Sequence, residues 1–265
     1  MPPVLLVNPR AGVARPSAGE LQAEAERLGI RVRVLRPGDD VSDVARSAGA
    51  DALGVAGGDG SLAPVAAVAL EQDVPFVCVP FGTRNHFARD LGLDRDDPMG
   101  ALAAFRGRER RIDVGRVDGR LFLNNVSLGA YAHLVHRRER HRRRRQALAA
   151  ARALLLASRR GRLRARIDGD PVDARVLLVA NNAYRLDLFS LGERERLDEG
   201  LLHLYAARGL LPLTWEDEAA TAFTIEVAGE RVRAAADGEP LELESPVRLE
   251  IVPGTLRVLV PDRRQ

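Results

Sequence analysis

The sequence contains no lysine; all 40 of its basic side chains are arginine. A Walker A loop places a lysine on the β- and γ-phosphates. Protein kinases and Schiff-base enzymes also depend on a lysine. These classes are therefore excluded. Cysteine is nearly absent too. Cys78 stands alone in the apolar stretch Val77–Val79, with no catalytic signature around it. It reads as a core residue of a reduced, cytosolic protein. Long apolar runs are missing: Ala147–Ala157 is interrupted by Arg152 and is too short to cross a bilayer. Met1-Pro2-Pro3 leads straight into a predicted strand, without a charged region or cleavage site, so no signal peptide is expected.

What is present suffices for two ordinary domains: 265 residues, formal net charge +3 and a pI near 9.7. A chain of this length buries about three-quarters of its unfolded surface and needs no disulfide or metal to fold. Its first hundred residues alternate strand and helix signals. Val4–Val7 is an apolar strand closed by Asn8-Pro9-Arg10-Ala11-Gly12. Ser17 caps a helix bearing Leu21, Ala25 and Leu28 on one side. Strands follow at Val32–Leu35, Ala52–Ala56 and Pro75–Val79, with helices at Ser42–Ala48 and Ser61–Leu70. This βαβα order predicts a parallel sheet with helices on both faces.

After Arg108 the pattern becomes one of short strands and turns. Asp118-Gly119, Asp168-Gly169, Ala228-Gly229, Asp237-Gly238 and Pro253-Gly254 supply turn signals. Val247–Ile251 and Leu256–Val260 read as separate strands either side of Pro253-Gly254. The expected organisation is α/β plus β: an α/β domain over residues 1–110 and an antiparallel β domain over 111–265, with a helical insertion near 130–158.

Two loops carry chemistry. Gly57-Gly58-Asp59-Gly60-Ser61 follows one predicted strand and opens a helix, where backbone N–H groups and the helix dipole favour a phosphate. Asp59 suits a magnesium ion or a ribose hydroxyl; a tight turn is the plain alternative. Pro80-Phe81-Gly82-Thr83-Arg84-Asn85-His86-Phe87-Ala88-Arg89 ends a second strand at the same sheet edge, the ligand-binding edge of open α/β sheets. Asn85 can equally be a simple helix cap.

Together these segments resemble the diacylglycerol kinase catalytic domain family, which includes bacterial diacylglycerol kinases and sphingosine kinases. The resemblance continues through Asn124-Asn125-Val126-Ser127-Leu128-Gly129, Asn181-Asn182, Leu197-Asp198-Glu199-Gly200-Leu201 and Asp237-Gly238-Glu239. It implies an N-terminal nucleotide domain related to NAD kinases and phosphofructokinases, a C-terminal β-sandwich, and an active site between them. It implies ATP as co-substrate, Mg2+ as cofactor and a lipid hydroxyl as acceptor. By the same resemblance, Asn8, Gly57, Gly58, Asp59, Gly60 and Ser61 would line the phosphates, with Thr83 and Asn85 nearby. Asp237 would be the general base, and Glu239 would help position nucleotide or magnesium. Asp198 and Glu199 would form a structural magnesium site. Locally, Asp237-Gly238 reads as a hairpin turn. Ser61, Arg84, His86 and Glu199 depart from the family's usual threonine, small residue, acidic residue and aspartate.

The segment His136–Arg145 is a dense arginine cluster. Docking of Arg137–Arg145 on anionic lipid headgroups is one reading, worth roughly 1 kcal/mol per arginine; a solvated helix face is the other. No nucleic acid is expected, because no aromatic residues interleave with the charges. The implied protein is cytoplasmic with peripheral membrane association, and a homo-oligomer is left open. Two alternatives stand beside the lipid kinase: an NAD kinase-like enzyme, and a catalytically weak nucleotide- or lipid-binding protein of the same fold.

Overall fold

The computed structural model describes residues 1–11, 16–83, 85–129, 163–174, 176–187, 190–191, 193–207 and 215–262. The predicted helical insertion, the arginine cluster, Gly12 and Arg84 lie outside the described residues. The chain divides into two compact units. One comprises Met1–Val114, Glu195–Asp198 and Pro253–Gln265; the other comprises Gly115–Arg194 and Glu199–Val252.

The first unit alternates β1 (Val4–Val7), α1 (Ala18–Arg27), β2 (Arg31–Val34), α2 (Val41–Arg46), β3 (Leu53–Gly57), α3 (Asp59–Glu71) and β4 (Phe76–Pro80). Two short helices follow, α4 (His86–Asp90) and α5 (Pro98–Ala101), then a 3-10 turn over Leu102–Arg106. The strands lie parallel in the order β2-β1-β3-β4. Side chains alternate across this sheet. Leu5, Val7, Val77 and Val79 share a buried cluster with Leu21 and Ala25 of α1 and with Ala101 and Leu102. Helices α2 and α3 pack on each other, and α3 also meets β3 and β4. Caps set the helix starts. Ser17 and Glu20 form a reciprocal capping box at α1, and Asp40 accepts from the N–H groups of Ser42 and Asp43 at α2.

The second unit is all β among its described residues. Its strands are the end of β5 (Arg108–Val117), β6 (Arg120–Phe122), β7 (Asn125–Gly129), β8 (Leu163–Ile167), β9 (Asp170–Ala174) and β10 (Val176–Asn181). They continue with β11 (Leu186–Asp187), β12 (Ser190–Leu191), β13 (Leu202–Ala207), β14 (Trp215–Ala220), β15 (Ala222–Val227), β16 (Arg231–Ala236), β17 (Glu239–Glu244) and β18 (Val247–Val260). One antiparallel layer has the order β14-β13-β10-β7-β16-β17. The other runs from the first half of β18 through β15 and β8 to β9. Alternate residues of both layers, such as Leu128, Val179, Leu204 and Ala234 facing Phe223, Ile225, Ala165 and Leu249, form one core. This is the expected β-sandwich.

The structure corrects one strand assignment. The predicted pair Val247–Ile251 and Leu256–Val260 is a single strand, β18, running through Pro253-Gly254. Gly254 takes up the irregularity with φ of 57°, and its N–H donates to Asp113 Oδ1 at 2.7 Å. The strands β9 and β14 were not anticipated.

Candidate active site

In the first unit, three loops leave the carboxyl ends of neighbouring parallel strands. Asn8 follows β1, Gly58 follows β3, and Phe81-Gly82-Thr83 follows β4. Register places Val7 beside Ala56 and Gly57 beside Pro80. Asn8 N–H donates to Ala56 O at 2.9 Å and Phe81 N–H to Gly57 O at 3.2 Å, so the sheet ladder continues into the loops.

Side chains stitch the loops together. Asn8 Nδ2 donates to Ser61 Oγ at 3.2 Å. The Asp59 carboxylate accepts from the backbone N–H groups of His86 and Phe87 at 3.4 and 3.3 Å, reaching from the start of α3 to the start of α4. Gly82 lies against the glycine loop: a Cβ there would sit 2.5 Å from Gly58 Cα. Only glycine permits this backbone approach. Gly58 caps α3 without a side-chain hydrogen bond, so no cap side chain takes the first-turn N–H groups. Thr83 is exposed on the same loop.

Asn85 is more constrained than a simple cap. It is 6% exposed and left-handed, with φ of 48°. Its Oδ1 accepts from Gly82 N–H at 2.9 Å, and its Nδ2 donates to the carbonyls of Gly82 and Arg95 at 3.1 and 3.0 Å. It shapes the loop from beneath. Arg89 pairs with the carboxylate of Asp90 at 3.1 Å. Cys78 is buried, and burial, followed by the negative charge of Asp59, pushes its thiol well above the ordinary range. An inert core thiol is the consequence.

In the second unit Asp237 sits at the β16–β17 hairpin, left-handed with φ of 49° and followed by Gly238 at 84°. This is the Asp-Gly hairpin geometry, and the unit uses it repeatedly. Asp118 and Asp168 take similar positive φ values, and each accepts one backbone N–H on a facing strand, from Arg248 at 3.0 Å and Thr224 at 2.8 Å. Both of these aspartates are exposed. Asp237 differs in being 8% exposed and in using both oxygens. Oδ2 accepts from Leu123 N–H at 2.7 Å, and Oδ1 from Asn124 and Asn125 N–H at 2.7 and 3.2 Å. Burial raises its pKa to about 6, against the three N–H donors and the positive charge of Arg194, which favour the carboxylate. Glu239 is exposed at the start of β17.

Arg194 was not foreseen from the sequence. It is 3% exposed and donates to Leu123 O at 2.7 Å, Asn181 O at 3.0 Å and Asn124 Oδ1 at 2.6 Å. Its guanidinium lies 5.5 Å from the Tyr184 ring centre. The strip Glu193-Arg194-Glu195-Arg196 alternates in charge, which reads locally as solvated surface. The Asn124-Asn125 and Asn181-Asn182 doublets were the visible trace of this cluster.

Asp59 and the pair Asp198/Glu199 were the residues expected to meet magnesium. Magnesium needs only one or two carboxylates when phosphate oxygens and waters complete its shell. Asp59, part-buried at a phosphate-binding type of helix start, suits that role. The other pair makes different contacts. Asp198 lies 3.3 Å from Arg196 Nε and 4.0 Å from Arg110. Glu199 accepts from Ala183 N–H at 3.0 Å, and its Oε2 is 3.3 Å from His203 Nε2. The other ring nitrogen of His203 is 3.3 Å from Asp217. The Asp59 oxygens likewise accept backbone N–H groups, so these contacts do not separate the two candidates. Among the described residues no group of three or more His, Cys, Asp or Glu side chains could hold a metal ion.

Comparison with known proteins agrees with this architecture. Residues 2–117 match the diacylglycerol kinase catalytic domain. A Pseudomonas aeruginosa protein named "Probable lipid kinase YegS-like" is 30% identical over 272 aligned residues, covering 91% of this chain and 87% of the relative. Bacillus subtilis diacylglycerol kinase is 35% identical over 89 residues, 32% of this chain and 29% of its own. A crystal structure of a Bacillus anthracis diacylglycerol kinase shares the fold, with TM-score 0.71 at 17% identity over 98% of this chain and 96% of that one. This chain belongs to the diacylglycerol kinase catalytic domain family, beside the YegS-like lipid kinases.

Proposed function

We propose that this chain transfers the γ-phosphoryl group of ATP, in the presence of magnesium, to the hydroxyl of a lipid of the diacylglycerol type. The observation that carries the reading is the edge where β1, β3 and β4 end. There Asn8, the Gly57–Ser61 loop and the Gly82 loop converge beside the first turn of α3, which no side chain caps. Backbone N–H groups and a helix start bind phosphate without lysine, which suits a chain that has none.

Asp59 places a negative charge where phosphates would sit. Bound there with the phosphates, magnesium would be held by Asp59 and would neutralise the charge that builds on the transferring group. Residues 1–110 take the nucleotide in this reading, and residues 111–265 the lipid. Asp237 accepts the proton of the lipid hydroxyl as its oxygen bonds to phosphorus; the bond to ADP breaks and ADP leaves with the electron pair. A carboxyl with a pKa near 6 is ionised at neutral pH yet basic enough to take that proton. Arg137–Arg145 would hold the enzyme on an anionic lipid surface. Among the described residues no helix is long and apolar enough to cross a membrane.

One observation favours a second reading, phosphate binding without transfer: both oxygens of Asp237 already accept backbone N–H groups. The deciding experiment is transfer of labelled γ-phosphate from ATP and magnesium to diacylglycerol, sphingosine, phosphatidylglycerol and an isoprenoid alcohol in mixed micelles, with NAD as a further acceptor. A labelled lipid supports the kinase and identifies its acceptor. Labelled NADP in its place moves the assignment to an NAD kinase-like enzyme. ATP binding with no labelled product moves it to the binding protein.

A further inference from the structure

The Leu123–Asn124 peptide group is held from both ends. Its carbonyl oxygen accepts from Arg194 Nη1 at 2.7 Å, and its N–H donates to Asp237 Oδ1 at 2.7 Å. A cation and an anion thus share one amide, aligned with its dipole. Each strengthens the amide's bond to the other, because hydrogen bonds in series polarise one another in a low-dielectric interior. Arg194 makes two further contacts around the same segment. Its Nη2 holds the Asn124 side chain at 2.6 Å, and Nη1 also reaches the Asn181 carbonyl on β10.

Asp118 and Asp168 take the same left-handed conformation as Asp237. Those aspartates close the same type of turn with a single N–H bond each, at the surface. A turn therefore needs neither three N–H donors nor a buried guanidinium. A buried arginine is also costly, since desolvation of its charge must be compensated. Arg194 donates to Leu123 O, Asn181 O and Asn124 Oδ1, and its charge also acts on Asp237. Hairpin geometry alone does not account for such an arrangement.

We propose that Arg194 is a positioning residue for phosphoryl transfer: through the Leu123–Asn124 peptide and the Asn124 side chain it fixes where the Asp237 carboxylate points. The inference rests on Asp237 being the proton acceptor. Fixed geometry at that carboxylate matters for rate and not for nucleotide affinity, because ATP is assigned to other residues. Misplacing a reacting group by about 1 Å can cost on the order of 100-fold in rate. Lysine keeps the charge but lacks the planar fork that reaches three acceptors at once.

The test measures kcat and the KM for ATP in the labelled-phosphate assay, with the lipid panel in mixed micelles, for the full-length parent, Arg194→Lys, Arg194→Gln, Asn124→Ala and Asp237→Asn. Asn124→Ala leaves the Asn124 N–H to Asp237 in place and removes only the side chain that Arg194 holds. It therefore carries the test should the arginine variants fail to fold. The expected result is a kcat lowered about 10–100-fold in Arg194→Gln. Smaller losses are expected in Arg194→Lys and Asn124→Ala, with the KM for ATP unchanged and folded fraction, followed by thermal melting, retained. If Asp237→Asn abolishes transfer while Asn124→Ala and the folded arginine variants keep the parent kcat, the positioning role is overturned and the base assignment stands. A loss of kcat that only tracks loss of folded protein overturns it as well. If the parent transfers no phosphate, or Asp237→Asn keeps full activity, the underlying assignment of the base falls and the inference falls with it.

Discussion

The two clusters of polar residues are built in opposite ways. In the first unit the loops after β1, β3 and β4 are glycine-rich and made largely of backbone, and their side chains serve mainly to tie loop to loop. In the second unit two buried ionic side chains, Asp237 and Arg194, hold strand ends through the backbone groups they bond. The first kind of site suits a ligand that brings its own charge, such as a polyphosphate. The second suits a single group whose protonation and direction must be set in advance. Damage to the first should therefore appear in nucleotide affinity, and damage to the second in turnover.

Asp237→Asn tests the contrast most severely. Loss of a general base costs about 100- to 10,000-fold in rate, so kcat should fall by that order while the KM for ATP stays near the parent value. Asp118→Asn and Asp168→Asn serve as controls. They alter the same turn at exposed positions, where asparagine tolerates the left-handed conformation, and should leave kcat unchanged. If all three variants lose activity equally, Asp237 is another turn residue and the contrast between the units collapses.

The pH dependence sharpens the same point. Because burial holds the Asp237 pKa near 6, kcat/KM should rise with pH through about 6 and level off above it. The effect on stability has the opposite sign. The folded protein binds this proton more tightly than the unfolded chain, so the contribution of this carboxyl to stability is full below 3.8 and is lost as pH rises through about 6. Comparing thermal melts of the parent and Asp237→Asn across that window isolates the term. Parallel curves would place the carboxyl's pKa at its ordinary value.

How legible each cluster was in the sequence follows from its construction. The loops of the first unit are each a strand, a few residues and a helix, and every signal lies within about ten residues. Gly57–Ser61 could therefore be read directly, as could the Ser17 cap. The environment of Asp237 is not local. Its N–H donors lie 112 to 114 residues earlier in the chain, and Arg194 is hidden in an alternating charge run that resembles surface. Only the family resemblance pointed to Asp237, since the local signal was a turn. Strand β9 begins Asp170-Pro171, which argues against a strand except at an edge, and an edge is where it lies. Strand β14 was masked by Glu216-Asp217-Glu218, exposed acids on another edge strand. Pro253-Gly254 is a turn signal by every local rule, yet β18 passes through it, pairing with β15 before it and with β4 after it.

Gly82→Ala should produce the largest effect on nucleotide affinity. The new Cβ would lie 2.5 Å from Gly58 Cα and 2.9 Å from Asn85 Oδ1. Neither neighbour is the free end of a flexible side chain, so the two loops must separate. Overpacking of this kind costs about 1–3 kcal/mol. If the loops bind the phosphates, that strain should raise the KM for ATP by roughly 10-fold or more, with a smaller change in kcat and a lowered melting temperature. A variant that melts early but binds ATP normally would assign the close approach to folding alone.

Ser61→Ala probes the weakest link in the same loops. It removes the hydroxyl that accepts from Asn8 Nδ2 at 3.2 Å. A neutral hydrogen bond contributes about 1 kcal/mol, so the KM for ATP should rise only about fivefold. Asn8→Ala then discriminates between two uses of the pair. If Asn8 and Ser61 act solely by tying β1 to α3, either substitution breaks the same bond, and the double variant should be no worse than the worse single one. If each also contacts a phosphate, the two losses should add in the KM for ATP while kcat keeps its parent value.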